Sequence, residues 1–333
     1  MLRNAAGQWP DMLALREVPP SGDFARRWTY RQLLHDAERL ARALASRHEQ
    51  GAHVAIFANN VPEWVLLEFG CALAGLVLVT VNPASTAREL RFILAQSPAE
   101  AIYFVESFRG NPLAQIAPAV SDELPAIRHR ILISDHAALF AGEAAGEMRT
   151  PQPQDAAQIQ YTSGTTGQPK GALLHHHGLV RNGIDLMKLG GLGPGIDILL
   201  CTPLFHTTGC ACQILGGLGV GATILLPPLF DPALTARLIE REQLRMALFV
   251  PTMLVAVMEA AEKGGQDLTS VERVLAGRLP DKAANPKAAE SQRGQTAPMW
   301  AAATTQGPMA RLLVERGADV NAAQGDGMTA LHW

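Results

Sequence analysis

Residues 30–46, YRQLLHDAERLARALAS, repeat apolar positions at helical spacing, with Thr29 as a plausible N-cap and Gly51 as the stop signal after it. An apolar strand follows in HVAIFANN, residues 53–60, which ends in turn formers. Pro62 opens a second helical stretch, and GLVLVTVNP, residues 75–83, reads as the next strand. A third helical pattern over residues 87–96, ARELRFILAQ, leads into a third strand, AEAIYFVES, over residues 99–107. Strands alternating with helices on this scale predict βαβ units around a mostly parallel sheet with flanking helices, an α/β fold. Residues 141–155 read as an exposed linker, and IQYTSGTTGQPKG beyond it runs from strand into loop. Further on, residues 222–228 read as a strand, 233–242 as a helix and 246–252 as a strand.

Two stretches are apolar enough to be weighed against a membrane span. Residues 64–81 carry one charge, Glu68, and residues 198–230 carry none. A spanning helix needs about 20 continuous apolar residues. Pro203, Pro227 and Pro228, with five glycines from Gly209 to Gly221, break the second stretch into short buried strands and a glycine-rich helix. Gly70 and Gly75 make the first a closely packed helix followed by a strand. No transmembrane segment is expected.

Composition narrows the class. The 333 residues are 48% hydrophobic and 18% charged, with net charge −3 and a pI near 6.4. That is apolar enough for a sizeable core, and it lacks the basic excess of a nucleic-acid-binding surface. At roughly 100–200 residues per domain, two domains are expected. The four cysteines, Cys71, Cys201, Cys210 and Cys212, are too few for a disulfide scaffold and fit a reducing compartment. The first twenty residues hold no continuous apolar run of the kind a secretory signal requires, so a cytoplasmic location is expected.

The chemistry concentrates in TSGTTGQPKG, residues 162–171. Its glycines permit turns that aim backbone N–H groups at an anion, its hydroxyls donate further bonds, and Lys170 supplies charge, which together make a phosphate cradle. It is not a Walker A loop, which requires G-x-x-x-x-G-K-[ST]. Composition alone leaves a Ser/Thr/Gly surface loop as an equal reading. Elsewhere, His175, His176 and His177 are consecutive, and adjacent residues on a helix do not share a face, which argues against a metal site. His206 with Cys210 and Cys212 has ligand types but no paired zinc spacing. Glu63 and Glu68 read as a helix start and a tolerated polar position, not as an acid/base pair. No protein metal site is identified.

Residues 161–171 resemble the signature loop of the AMP-forming adenylating enzymes, the superfamily of acyl-CoA synthetases, luciferase-like ligases and nonribosomal adenylation domains. Residues 63–104 look like its fatty-acyl-CoA synthetase branch. PLFHTTG at 203–209 resembles the second family motif, VPTML at 250–254 a third, and residues 267–277 the approach to the next glycine-rich turn. The resemblance covers about residues 10–277 in family order. It implies that Thr162, Ser163, Thr165, Thr166 and Lys170 embrace the ATP phosphates, that Gly164, Gly167 and Gly171 shape the loop, and that His206 borders the acyl pocket near the nucleotide. The implied reaction is attack of a carboxylic or fatty acid on the ATP α-phosphate with Mg²⁺, then thioester formation with coenzyme A. The substrates implied are small molecules, with no nucleic acid.

Downstream, the family's aromatic-Gly-x-Thr-Glu motif, its ribose-binding Thr-Gly-Asp, an arginine and a catalytic lysine have no match. Gly327-Met328-Thr329 copies part of the first without the aromatic or the glutamate. Instead, RGQTAPMW at 293–300 is echoed by DGMTALHW at 326–333, at the 33-residue period of ankyrin repeats. The tail therefore resembles a partial ankyrin array, all-α, with Pro298 and Thr305 departing from the pattern. Fewer than about three repeats do not bury their faces, so a protein-binding surface is not expected from it. The division expected is a truncated acyl-CoA synthetase-like domain over 1–280, a linker or junction over 281–292 and ankyrin-like repeats over 293–333. Negligible adenylation by the chain alone follows. The alternatives are a nucleotide- or acyl-binding remnant without turnover, an ankyrin-type interaction module, and a junction near Gly277 that is an artefact of gene assembly.

Overall fold

The computed structural model describes residues 1–142, 148–162 and 169–274, with Thr162 described by its backbone alone. The centre of the phosphate loop, the junction over 281–292 and the ankyrin-like residues 293–333 lie outside the described residues. The chain divides into two compact units, Met1–Phe230 and Asp231–Trp333.

In chain order the first unit comprises α1 (Leu2–Gln8), β1 (Leu13–Glu17), β2 (Arg27–Thr29), α2 (Tyr30–Ala45), β3 (His53–Phe57), α3 (Pro62–Ala74), β4 (Val77–Val81), α4 (Ala87–Gln96) and β5 (Ala101–Phe104). It continues through α5 (Leu113–Asp122), β6 (His129–Leu132), α6 (His136–Leu139), β7 (Ala156–Thr162), β8 (Lys170–His175), α7 (His176–Leu189) and β9 (Asp197–Leu199). A π-helix (Thr208–Gly216), α8 (Gly217–Gly219) and β10 (Thr223–Leu226) complete it.

Among the described residues the strands of this unit form two sheets. The six-stranded sheet runs β6-β5-β3-β4-β7-β8, parallel except for the antiparallel β7/β8 hairpin. The other runs β2-β1-β10-β9, parallel except where β2 folds back on β1. The mostly parallel α/β reading holds for both. Strands β3, β4 and β5 are mostly apolar and buried along nearly their whole length, as interior parallel strands are.

Local chemistry explains the helix limits. Thr29 accepts a bond from the Gln32 amide while the Gln32 side chain accepts from the Thr29 amide, a capping box that starts α2. Thr86 and Glu89 do the same for α4. Pro62 supplies a preset φ at the head of α3, and Gly75, at φ 73°, ends it in the left-handed region. Helix α3 is buried from Pro62 to Cys71, and Gly70 lets Leu40 of α2 approach. Buried Tyr30 donates to the carbonyls of Ala222 (2.6 Å) and Leu218 (3.2 Å), fastening α2 to the segment before β10.

Asp231 caps α9 (Pro232–Glu242) in the second unit, accepting from the Leu234 amide at 2.7 Å. Strand β11 (Met246–Ala247) follows, then α10 (Pro251–Gly264) and β12 (Arg273–Val274), which pairs in parallel with β11. The strand expected over residues 246–252 is therefore only two residues long. Pro251 has no amide hydrogen for a sheet ladder and sits at the first position of α10 instead. Among the described residues no helix is long and apolar enough to cross a membrane.

Candidate active site

Strand β7 is the stalk of the loop. It pairs with β4 through Leu78↔Gln158 and Val79↔Ile159 in the sheet interior. On its other side β8 returns antiparallel, with Gly171 opposite Tyr161 and Lys170 opposite Thr162. The two ends of the loop are thus held across a ladder, and Lys170 begins a strand. Gly171 lets the Ile159 and Tyr161 side chains pack closely, since a Cβ would lie 3.0 Å from Ile159 Cγ2 and 3.1 Å from the Tyr161 ring. Lys170 is exposed and makes no ion pair among the described residues. Ser163, Gly164, Thr165, Thr166 and Gly167 lie outside the described residues.

The segment that carries His206 is tied to β7 through Cys210, whose Sγ accepts from Gln160 at 3.3 Å. That segment follows β9 and is clamped by Asn60, whose Nδ2 donates to Thr202 O (3.2 Å) while its Oδ1 accepts from Leu204 N (2.9 Å). Thr80 on β4 donates to the carbonyl of Phe205 at 3.0 Å. Beyond His206, the amides of Gly209 (2.9 Å) and Cys210 (3.1 Å) donate to its carbonyl as the π-helix begins. π-helical turns frequently mark functional segments, because the extra residue re-aims side chains. Gly183 of α7 and Gly216 of the π-helix touch backbone to backbone, leaving no room for a Cβ on either. The His206 imidazole packs on Phe205, ring centroids 4.5 Å apart, and partial desolvation lowers its pKa below the usual histidine value. It is therefore mainly uncharged at neutral pH.

Between stalk and π-helix lies a buried polar ladder. Gln158 Nε2 donates to Glu68 Oε1 (2.7 Å), Gln160 Nε2 to Gln158 Oε1 (2.9 Å) and to Cys210 Sγ (3.3 Å), and Cys210 Sγ to Gln158 Oε1 (3.4 Å). Glu68 Oε2 has no partner, and burial pushes the Glu68 carboxyl up to about 8. Its end of the ladder borders a groove of about 710 Å³ with apolar walls including Phe69, Leu73, Leu179 and Ile184. Expected as a tolerated polar position, Glu68 is instead the enclosed terminus of this ladder. Glu63 does stand at the helix start, where Arg26 (2.5 Å) and His136 (2.8 Å) pair with it. Desolvation opposes its ionisation, but those two partners outweigh it and leave its pKa lowered.

The histidine run divides by position. His175 is the N-cap of α7, accepting from Gly178 N at Nδ1 (3.0 Å), and its ring stacks on that of His177 at 6.2 Å. The two share a side because His175 precedes the helix. Buried Cys210 belongs to the ladder, and Cys212 is half-buried.

Asn60, Thr80, Gln158 and Gln160 are the site-supporting residues that sequence reasoning missed. Their signal is weak: Asn60 stands among the turn formers that end its strand, Thr80 lies inside a mostly apolar strand, and the two glutamines flank Ile159 in a short strand.

The chain is similar to known proteins. A family model described as AMP-binding enzyme matches residues 2–304. The indoleacetate–CoA ligase of Aromatoleum aromaticum is 34% identical over 284 residues, covering 82% of this chain and 53% of that protein. The 4-coumarate–CoA ligase 1 of Oryza sativa subsp. japonica is 31% identical over 267 residues, covering 74% and 47%. The solved fatty acyl CoA synthetase of Mycobacterium tuberculosis superposes with a TM-score of 0.69 at 25% identity, over 81% of this chain and 52% of that one. The chain spans about half the length of the curated relatives it matches. With the family model spanning most of its length, the chain belongs to the AMP-binding enzyme family and is acyl-CoA synthetase-like over its N-terminal portion.

Proposed function

We propose that this chain carries the nucleotide-phosphate and acyl side of an AMP-forming acyl-CoA ligase, and that alone it binds Mg·ATP without appreciable turnover. The observation that supports this reading is the β7/β8 hairpin, which sets Thr162 opposite Lys170 at the two ends of the loop, on the strand to which the His206 segment is tied.

In this reading Thr162, Ser163, Thr165 and Thr166 donate hydroxyl and backbone bonds to phosphate oxygens, with Gly164, Gly167 and Gly171 permitting the close approach. Lys170 neutralises triphosphate charge. His206, uncharged, borders the carboxylate substrate without drawing its negative charge away from phosphorus. The carboxylate oxygen attacks the α-phosphorus, pyrophosphate leaves, and coenzyme A sulfur later displaces AMP from the acyl carbon. Catalysis of this kind rests on positioning and on charge neutralisation. The exposed amine of Lys170 and the hydroxyl-rich loop suit a metal-bound triphosphate, in which Mg²⁺ would neutralise phosphate charge. Among the described residues no cluster of three His, Cys, Asp or Glu could hold the ion without the nucleotide.

The 333 residues contain no aromatic-Gly-x-Thr-Glu and no Thr-Gly-Asp sequence. Each preorganised electrostatic group lost costs about 10²–10³ in rate, which is the ground for negligible turnover. Calorimetric titration with Mg·ATP should give binding that Lys170→Ala abolishes. ATP–pyrophosphate exchange with a panel of aryl and fatty carboxylates should stay at background. Robust exchange refutes the inactive reading, and Mg·ATP binding indifferent to Lys170→Ala refutes the loop assignment. We read the ligase portion as residues 1–280, joined through 281–292 to ankyrin-like repeats over 293–333, in a cytoplasmic protein. A 1–280 chain should melt at the same temperature as the full chain.

A further inference from the structure

Two segments must act on one ligand if the proposed function holds, and they come from distant parts of the chain. Gln160 sits two residues before the loop, and Cys210 sits four residues after His206. Their side chains meet at 3.3 Å, fully buried, and the Cys210 amide in turn donates to the His206 carbonyl at 3.1 Å. A continuous path of bonded groups thus runs from the stalk of the phosphate loop to His206. Gln158, one pleat back on the same face of β7, joins both members and passes the connection to Glu68 on α3.

We propose that Gln160 and Cys210 are positioning residues: their buried contact fixes the strand that carries the phosphate loop against the π-helix that carries the His206 segment.

This rests on the functional reading above and adds a role for residues outside its loop. Apolar packing could hold the two elements together, but not at one register along each other. A dispersion contact changes little over a shift of a few tenths of an ångström, whereas a directional bond within an apolar interior does not tolerate misalignment. Gln160 is 5% exposed and Cys210 0%, so water cannot substitute for the contact. Three independent ties of the same segment support a requirement for precise placement: Asn60 on Thr202 and Leu204, Thr80 on Phe205, and Cys210 on Gln160.

The test titrates Mg·ATP calorimetrically into wild type, Gln160→Met, Cys210→Ala, Cys210→Ser and the Gln160→Met/Cys210→Ala double variant. Urea midpoints and near-ultraviolet circular dichroism record whether each folds. Each single variant removes the shared contact and one further bond to Gln158 Oε1, and the displacement should weaken binding about three- to tenfold in Gln160→Met and in Cys210→Ala. The double variant should lose less than the sum of the two single losses, because the Gln160–Cys210 contact is common to both. Cys210→Ser, which keeps a donor and an acceptor, should bind within about twofold of wild type. Equal loss in the serine and alanine variants means that bulk packing, not the bond, matters, and overturns the proposal. So does wild-type affinity in both Gln160→Met and Cys210→Ala. If Gln160→Met does not fold, the alanine and serine pair at 210 decides. Failure of wild type to bind Mg·ATP overturns the functional reading itself and this inference with it, a result distinct from binding that ignores the ladder.

Discussion

Glu68 offers a measurement in which one buried proton reports on the whole interior. Its carboxyl is enclosed between α3 and β7, accepts one bond from Gln158, and has no partner at Oε2. Burial pushes its pKa up to about 8 from the 4.5 of a free side chain. The folded state therefore holds this proton more tightly than the unfolded chain does. Its stabilising contribution is complete below about pH 4.5, is lost as pH rises toward about 8, and stays absent above. The interval corresponds to an upper bound of about 5 kcal/mol, and the steepest slope is about 1.4 kcal/mol per pH unit. Glu68→Gln keeps the shape and the acceptor for Gln158 while removing the titration. The variant should match wild type near pH 5 and exceed it by several kcal/mol at pH 9. Urea unfolding at half-unit pH steps checks this. The difference between the two proteins isolates Glu68 from His48, His129 and His176, whose pKa values burial lowers. Parallel pH–stability curves, or a variant less stable at pH 9, would falsify the assignment of a buried, neutral carboxyl.

Two further outcomes follow from packing and capping. Thr29→Ala removes the acceptor of the α2 capping box and should lower unfolding stability by about 1 kcal/mol, read from the urea midpoint at constant slope. Gly183→Ala places a methyl group against the backbone of the π-helix and should cost about 1–3 kcal/mol. At Gly193 a Cβ meets nothing within 4 Å, so Gly193→Ala should leave the melting temperature nearly unchanged. Equal effects at the two glycines would contradict the backbone-to-backbone contact.

The central βαβ units were legible because they are local. Thr29, Pro62 and Gly75 punctuate helices whose limits match the sequence reading, and the parallel sheet follows from their alternation. What periodicity lacks is partner identity. Strand β1 pairs with β10, with Leu15 opposite Ile224, about two hundred residues apart in sequence. Nothing within either short strand encodes that choice. Strand β7 similarly inserts beside β4, not beside β6, its predecessor in the chain. The loop was legible for the opposite reason, since its chemistry is compressed into ten consecutive residues.

The ladder is not legible in the sequence, because strand alternation names a face but not what covers it. Period-two alternation in AAQIQYT assigns Gln158 and Gln160 to a common face, which the structure bears out. A polar face on an alternating strand ordinarily meets water. Here the uncharged stretch over residues 198–230 supplies the cover, as the π-helix and its neighbours. The absence of charge that raised the question of a membrane and the burial of two glutamines are thus one fact. A segment with no charge to solvate can lie on a polar strand where polar groups bond one another, as Gln160, Gln158 and Cys210 do. Glu68 Oε2 has no partner among the described residues, and burial without one holds its proton tightly.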